Sequence, residues 1–249
     1  RDFLLCGAGA AGPALEGGVV KTGMRASDGA VDAITIEDGV IHAHVIGEGK
    51  AKGICGSGII DLIAELFLNG WIDLFGTLQP EQSGNIREDR EYGEWCVEYE
   101  EGLYFYQSDI AEFLRTKSAA YTMVEYVLSE SGISMNEIDR FYAAGAFGKH
   151  VSKESAITIG MSPDLGRYRL ICVGNTSLDG AEKILLDRTC IEDLDRILEE
   201  MVYIQFGQVS DFISMMAAAQ AIPHTDLERF PSVQKKLEER RQKTHKSIK

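Results

Sequence analysis

Apolar runs, glycine-rich turns and helical stretches follow one another along this chain in an order that predicts an α/β fold. The first apolar run, Phe3 to Cys6, is strand-like. Ala30 to Glu37 and Val40 to Ile46 are two β-rich runs split by Asp38-Gly39, a pair that favours positive backbone angles, so they predict a hairpin. Next, Ile59, Ile60, Leu62, Ile63, Leu66 and Phe67 recur at helical spacing until Asn69-Gly70 stops them. The segment from Phe75 to Tyr106 is polar and aromatic. It alternates in Trp95 to Tyr99 and Leu103 to Tyr106 across Glu100-Glu101-Gly102, which predicts an inserted β-hairpin at about 71–107. A helix follows to about Ser131, with Ile110, Phe113, Leu114, Tyr121, Val124 and Leu128 on its apolar side and Ser108 as its N-cap.

Two strand–turn–helix units come next. Ile138 to Ala144 is a buried-type strand running into the small-residue turn Gly145-Ala146-Phe147-Gly148 and a helix from about Ser152 to Gly160. Tyr168 to Val173 repeats the pattern, with the turn Gly174-Asn175-Thr176-Ser177 and a helix from Leu178 to Asp187. In open α/β sheets ligands bind outside the carboxyl ends of the strands, where both turns lie. Beyond them, Leu194, Ile197, Leu198 and Met201 on a helix from Ile191 to Phe206 read as core packing, as do Met215 and Met216 in the run Phe212 to Ala221.

Two glycine-rich stretches add candidate chemistry. Gly7 to Gly18 is too small-sided for a core strand, so its backbone approaches something closely, either a packed helix or a phosphate. Gly53-Ile54-Cys55-Gly56-Ser57-Gly58 opens the first helix and could offer free N–H groups to a phosphate. It is neither a lysine-bearing P-loop nor a dinucleotide fingerprint.

Charge narrows the partners. The net charge of −14 argues against nucleic acid and anionic membrane. Val233 to Lys249 runs the other way, with seven Lys/Arg against two Glu, and predicts a basic, solvated helical tail over 223–249. No run is apolar enough to cross a membrane and no signal peptide opens the chain, which predicts a cytoplasmic protein. Cys6, Cys55, Cys96, Cys172 and Cys190 are far apart and read as isolated thiols. The histidines form no metal-binding set, and His42 and His44 are alternate residues of one strand. The chain starts at Arg1 and enters a strand at once, so it reads as a piece of something longer.

The element order, with the first strand of a hairpin absent before Arg1, matches a ribonuclease-H-like half-domain of the actin/Hsp70/sugar-kinase type, spanning 1–222. Ala143-Ala144-Gly145-Ala146-Phe147-Gly148 looks like that superfamily's adenosine loop, although Ala146 stands where a second glycine is commoner. AAGPALEGG, GICGSGIIDL, QSDI, AGAFG, IGMSPD and VGNTSLDGA, in this order over about residues 6 to 222, resemble the ATP-dependent reductive activators of corrinoid proteins.

That resemblance implies ATP or ADP with Mg²⁺ as cofactor, and a [2Fe-2S] ferredoxin-like domain and the other ATPase half upstream. It implies a corrinoid protein of a methyltransferase system as partner, with Co(II) reduced to Co(I), and leaves a homodimer open. The chain has no ferredoxin cysteines and no Asp-x-Gly-Thr hairpin, so the fragment alone is expected to be inactive and the Mg²⁺ ligands to lie upstream. Gly145, Ala146, Phe147 and Gly148 are expected beneath the adenosine, with Gly174, Asn175 and Ser177 lining the same pocket. Lys117 is a candidate for the adenine and ribose, and solvent is its alternative. Gly56, Ser57 and Gly58 are candidates near the phosphates, with Asp61 or Glu16 ordering Mg²⁺-bound water. A small-molecule kinase of the same superfamily and a degenerate protein-docking domain stand as alternatives.

Overall fold

A computed structural model describes residues 4–9, 12, 14–145, 150–206 and 211–247, with side chains described to residue 242. The opening apolar run forms β1 (Leu4–Gly7). Asp38 and Gly39 take φ of 50° and 81°, the geometry that closes a two-residue hairpin. That turn joins β2 (Ala30–Glu37) to β3 (Val40–Val45) antiparallel, while β4 (Gly53–Ile54) pairs parallel with β2 on its other side.

Helix α1 (Gly56–Leu68) starts directly after β4 and lies across β2. Ile59, Ile60, Leu62, Ile63 and Leu66 are all fully buried, as expected of a helix that is apolar nearly all round. Gly58 makes its close approach possible, because a Cβ there would overlap the Val31 carbonyl oxygen and crowd Ile54. Gly58→Ala gains helix propensity but must push α1 off β2. We expect a net loss of about 1–2 kcal/mol, read as a lower urea midpoint with an unchanged slope.

The predicted inserted hairpin is a three-stranded antiparallel sheet: β5 (Ile86–Asp89), β6 (Glu94–Glu100) and β7 (Leu103–Tyr106). Val97, Tyr99 and Phe105 share one core with α1 and with α2 (Gln107–Ser131). Ser108 is not the cap of α2. The helix begins one residue earlier, and the Asp109 carboxylate turns back to accept the Tyr106 N–H at 3.0 Å, while Ser108 is occupied by Lys21 and Glu94.

The two strand–turn–helix units are present, with shorter strands. β8 (Phe141–Ala144) runs parallel to β9 (Leu170–Gly174), with Phe141 opposite Leu170 and a one-residue register shift between Ala143 and Ala144. A 3-10 turn at Met135–Glu137 ends just before the predicted first strand and Ile138 is its C-cap, so β8 begins only at Phe141. Between the strands lies α3 (Lys153–Thr158), capped by Ser152, whose hydroxyl accepts the Ser155 N–H. After β9 come α4 (Thr176–Leu186) and α5 (Cys190–Glu200).

The helix expected over 191–206 stops at Glu200. Met201-Val202-Tyr203-Ile204 is β-branched and aromatic, and forms β10 (Met201–Ile204), parallel to β1. Nor do Leu194, Ile197, Leu198 and Met201 build a core: they are 38%, 40%, 57% and 38% exposed. Their helical spacing marks an apolar face, and no described residue covers it. α6 (Phe212–Ala219) does pack, against α2.

The basic tail is helical as α7 (Pro231–Ser247), but its start is not solvated. Val233 is fully buried, Lys236 bonds Glu154 at 2.6 Å and Arg240 bonds Glu65 at 3.2 Å. Arg167 and Lys236 together hold the Glu154 carboxyl down to a pKa of about 2.

Candidate functional site

The carboxyl ends of β8 and β9 meet: Ala144 is paired with Gly174. Just beyond, Gly145 and Gly174 take φ of +83° and +70°, and no heavy atom of the described residues lies within 4 Å of where either Cβ would stand. At these two adjacent positions the main chain is thus open on one edge, the condition for a flat ligand to lie against it. Asn175 caps α4 through its side-chain oxygen, which accepts the Leu178 N–H at 3.2 Å, and Ser177 is exposed in the first turn. Ala146, Phe147 and Gly148 lie outside the described residues.

Beside this edge is an apolar cavity of about 390 Å³, walled by Ala143 and Ala144 of β8, Cys172 of β9, Thr116 and Ala120 of α2 and Ala156 of α3. Lys153 runs along its wall and donates to the Leu170 carbonyl at 2.6 Å. Gly9 and Gly12 of the glycine-rich segment lie against the same α2 helix. A Cβ on Gly12 would stand 3.3 Å from the Thr116 hydroxyl, and one on Gly9 would overlap the Met123 sulfur. Thr116 and Ala120 were not singled out from sequence. Their signal is the small-residue run Ser118-Ala119-Ala120 together with Thr116, where an amphipathic helix would normally carry larger side chains.

The other candidates go elsewhere. Gly56, Ser57 and Gly58 belong to the helix packed on the β2–β4 sheet, and Ser57 pairs with the Cys55 thiol at 3.4 Å. Glu16 sits in a 3-10 turn, Leu15–Gly17. Asp61 is buried and bonds Ser155 and the Ile34 N–H; burial raises its pKa, and its Oδ1 has no hydrogen-bond partner. His44 pairs with Asp32 at 2.5 Å. Among the described residues no group of three or more His, Cys, Asp or Glu could hold a metal ion.

Lys117 reaches neither solvent nor the cavity. It is fully buried, and its ammonium donates to the carbonyls of Ala219, Ala221 and Pro223, each at 2.6 Å. All three protons are taken, so none is left for an adenine or ribose. Burial pulls its pKa down from the ordinary lysine value. Three carbonyl acceptors favour the charged form, since a neutral amine has only two N–H donors.

His224, next in the same segment, is also buried, and its Nδ1 accepts the Asp226 N–H at 2.9 Å. Burial, with Arg229 and Lys117 adding, lowers its pKa below 6.5. The unfolded chain therefore takes up this proton first as pH falls. The contribution of His224 to stability should be full above about pH 6.5 and decline below it by at most about 1.4 kcal/mol per pH unit. Urea midpoints at pH 7.5 and 5.5 should differ more in the wild type than in His224→Gln.

Parallel strands that end in glycine turns before helices fit an ASKHA domain, the class of actin, Hsp70 and sugar kinases. The solved reductive activator for corrinoid, iron-sulfur protein superposes on 93% of this chain and 38% of its own, with a TM-score of 0.83 and 36% identity. A sequence model described as the C-terminal domain of RACo, the ASKHA domain, matches residues 1–234, and the chain belongs to that family.

Two curated relatives agree. Corrinoid activation enzyme RamQ of Eubacterium limosum is 31% identical over 72% of this chain and 32% of its own length. The [Co(II) methylated amine-specific corrinoid protein] reductase of Methanosarcina barkeri is 26% identical over 80% of this chain and 38% of its own. The chain thus spans about a third of the length of these relatives.

Proposed function

We propose that this chain is the nucleotide-facing part of an ATP-dependent reductive activator, which drives an electron from a [2Fe-2S] domain to a Co(II) corrinoid protein and restores Co(I). The observation that carries the nucleotide reading is the β8–β9 edge, where Gly145 and Gly174 leave the main chain open beside an apolar cavity. Such an edge fits the adenosine end of ATP: main chain for hydrogen bonds, and small side chains where a flat base needs room.

In this reading the Gly145 turn passes beneath the adenosine, and Gly174, Asn175 and Ser177 line the same pocket. Ala146, Phe147 and Gly148, next in the sequence, are assigned to the same adenosine contact. The chemistry supplied by Mg-ATP is the free energy of its binding and hydrolysis. Among the described residues no group of three or more His, Cys, Asp or Glu could hold a metal ion, so the Mg²⁺ ligands are assigned to residues outside this set, and Gly56, Ser57 and Gly58 at the start of α1 are assigned near the phosphates. The iron–sulfur cluster and the other ATPase half are assigned to further parts of the polypeptide, the corrinoid protein to a methyltransferase system, and the whole to the cytoplasm. Among the described residues no helix is long and apolar enough to cross a membrane.

Calorimetry of Mg-ATP binding to the complete polypeptide tests the site. Gly145→Val places a β-branched residue at φ of +83°, a conformation such residues avoid, and adds bulk where the base would lie. Folded Gly145→Val should bind at least tenfold more weakly than wild type. Equal affinity would mean that the adenosine lies elsewhere.

A further inference from the structure

The two helical walls of the cavity are anchored on one short segment that does not line it. On the α2 wall, Thr116 and Ala120 face the cavity, and Lys117 between them is tied by three bonds to the carbonyls of Ala219, Ala221 and Pro223. On the α3 wall, Ala156 faces the cavity, and two residues past the end of α3 Gly160 rests on the same Pro223 carbonyl. At φ of +72°, a Cβ on Gly160 would overlap that oxygen. The segment is fixed from two further directions: Ile222 N–H donates to the Leu74 carbonyl at 2.8 Å, and Thr225 N–H to the Ala218 carbonyl at 3.1 Å.

We infer that Lys117 is a positioning residue for this cavity, acting through 219–223 to hold α2 and α3 at a fixed separation. The geometry is specific. An ammonium with three directed donors fixes both the rotation of α2 and its distance from the segment, which apolar packing alone would leave adjustable. The inference rests on the reading of the cavity edge as a nucleotide site.

Mg-ATP affinity, measured at low temperature on the complete polypeptide, separates positioning from mere support. Lys117→Met is compared with Phe105→Leu, a change in the buried face of β7 that also lowers the melting temperature. Lys117→Met should weaken binding at least tenfold, and Phe105→Leu should stay within twofold of wild type. Unchanged affinity in a folded Lys117→Met overturns the inference.

Hydrogen exchange on the wild type covers the case in which Lys117→Met does not fold. Mg-ATP should slow exchange at the Ile222 and Thr225 amides, although neither residue touches the cavity. Unaltered exchange at both amides overturns the inference too. A wild type that binds no Mg-ATP overturns the nucleotide reading itself, and this inference with it.

Discussion

Lys117→Met is expected to destabilise the fold by about 3–5 kcal/mol, read as a fall in the urea midpoint at pH 7.5. Methionine fills the space of the lysine stem but donates nothing to the carbonyls of Ala219, Ala221 and Pro223. Each buried acceptor left without a partner costs about 1–3 kcal/mol. Part of that is offset, because the variant no longer buries a charge. The missing bonds should win, since the ammonium is fully satisfied in the native state and Met is too short of polar atoms to replace any of them. An arginine should not rescue, because its flat fork cannot meet three carbonyls arranged around a single nitrogen. A variant as stable as wild type would show that the segment is held by its apolar neighbours alone.

The second large effect is expected at Gly160. Alanine there carries two penalties at once: a left-handed backbone at φ of +72°, and a methyl group directed into the Pro223 carbonyl oxygen. The first costs on the order of 1 kcal/mol. The second requires backbone to move, and the Pro223 carbonyl is held in place by Lys117. Together they should cost about 3 kcal/mol or more, measured as a loss of melting temperature, with the double variant Lys117→Met/Gly160→Ala falling short of the sum because both act on one oxygen. A Gly160→Ala protein that melts like wild type would mean that Pro223 and Gly160 are not held together.

What was legible in the sequence followed from local rules. Asp38-Gly39 specified its hairpin, the apolar spacing from Ile59 to Phe67 specified α1, and the glycines at 145 and 174 marked the ends of two parallel strands because each must take positive φ. Whatever depended on distant partners was not legible. Nothing local distinguishes a lysine facing solvent from Lys117, whose three acceptors lie 102, 104 and 106 positions away. The spacing of Leu194, Ile197, Leu198 and Met201 defined an apolar face correctly but could not say that no described residue covers it. The strand at Met201 was hidden for a similar reason, since a helical period runs into it and only pairing with β1, nearly two hundred residues earlier, makes it extended. The glycine-rich stretch Gly7 to Gly18 reads as a close-approach segment, and the surfaces that Gly7, Gly9 and Gly12 meet, Phe206, Met123 and Thr116, all belong to the protein itself, as does Val31, which Gly58 meets.

The central claim is that nucleotide, handled at the β8–β9 edge, drives corrinoid reduction. The most direct measurement is the rate and extent of Co(II) to Co(I) conversion on a corrinoid protein by the complete, cluster-loaded polypeptide, followed by absorbance with and without Mg-ATP under a fixed reductant. The account predicts that Mg-ATP raises both, and that Gly145→Val removes the stimulation while leaving the cluster's own absorbance intact. Reduction at the same rate and to the same extent without nucleotide would contradict it.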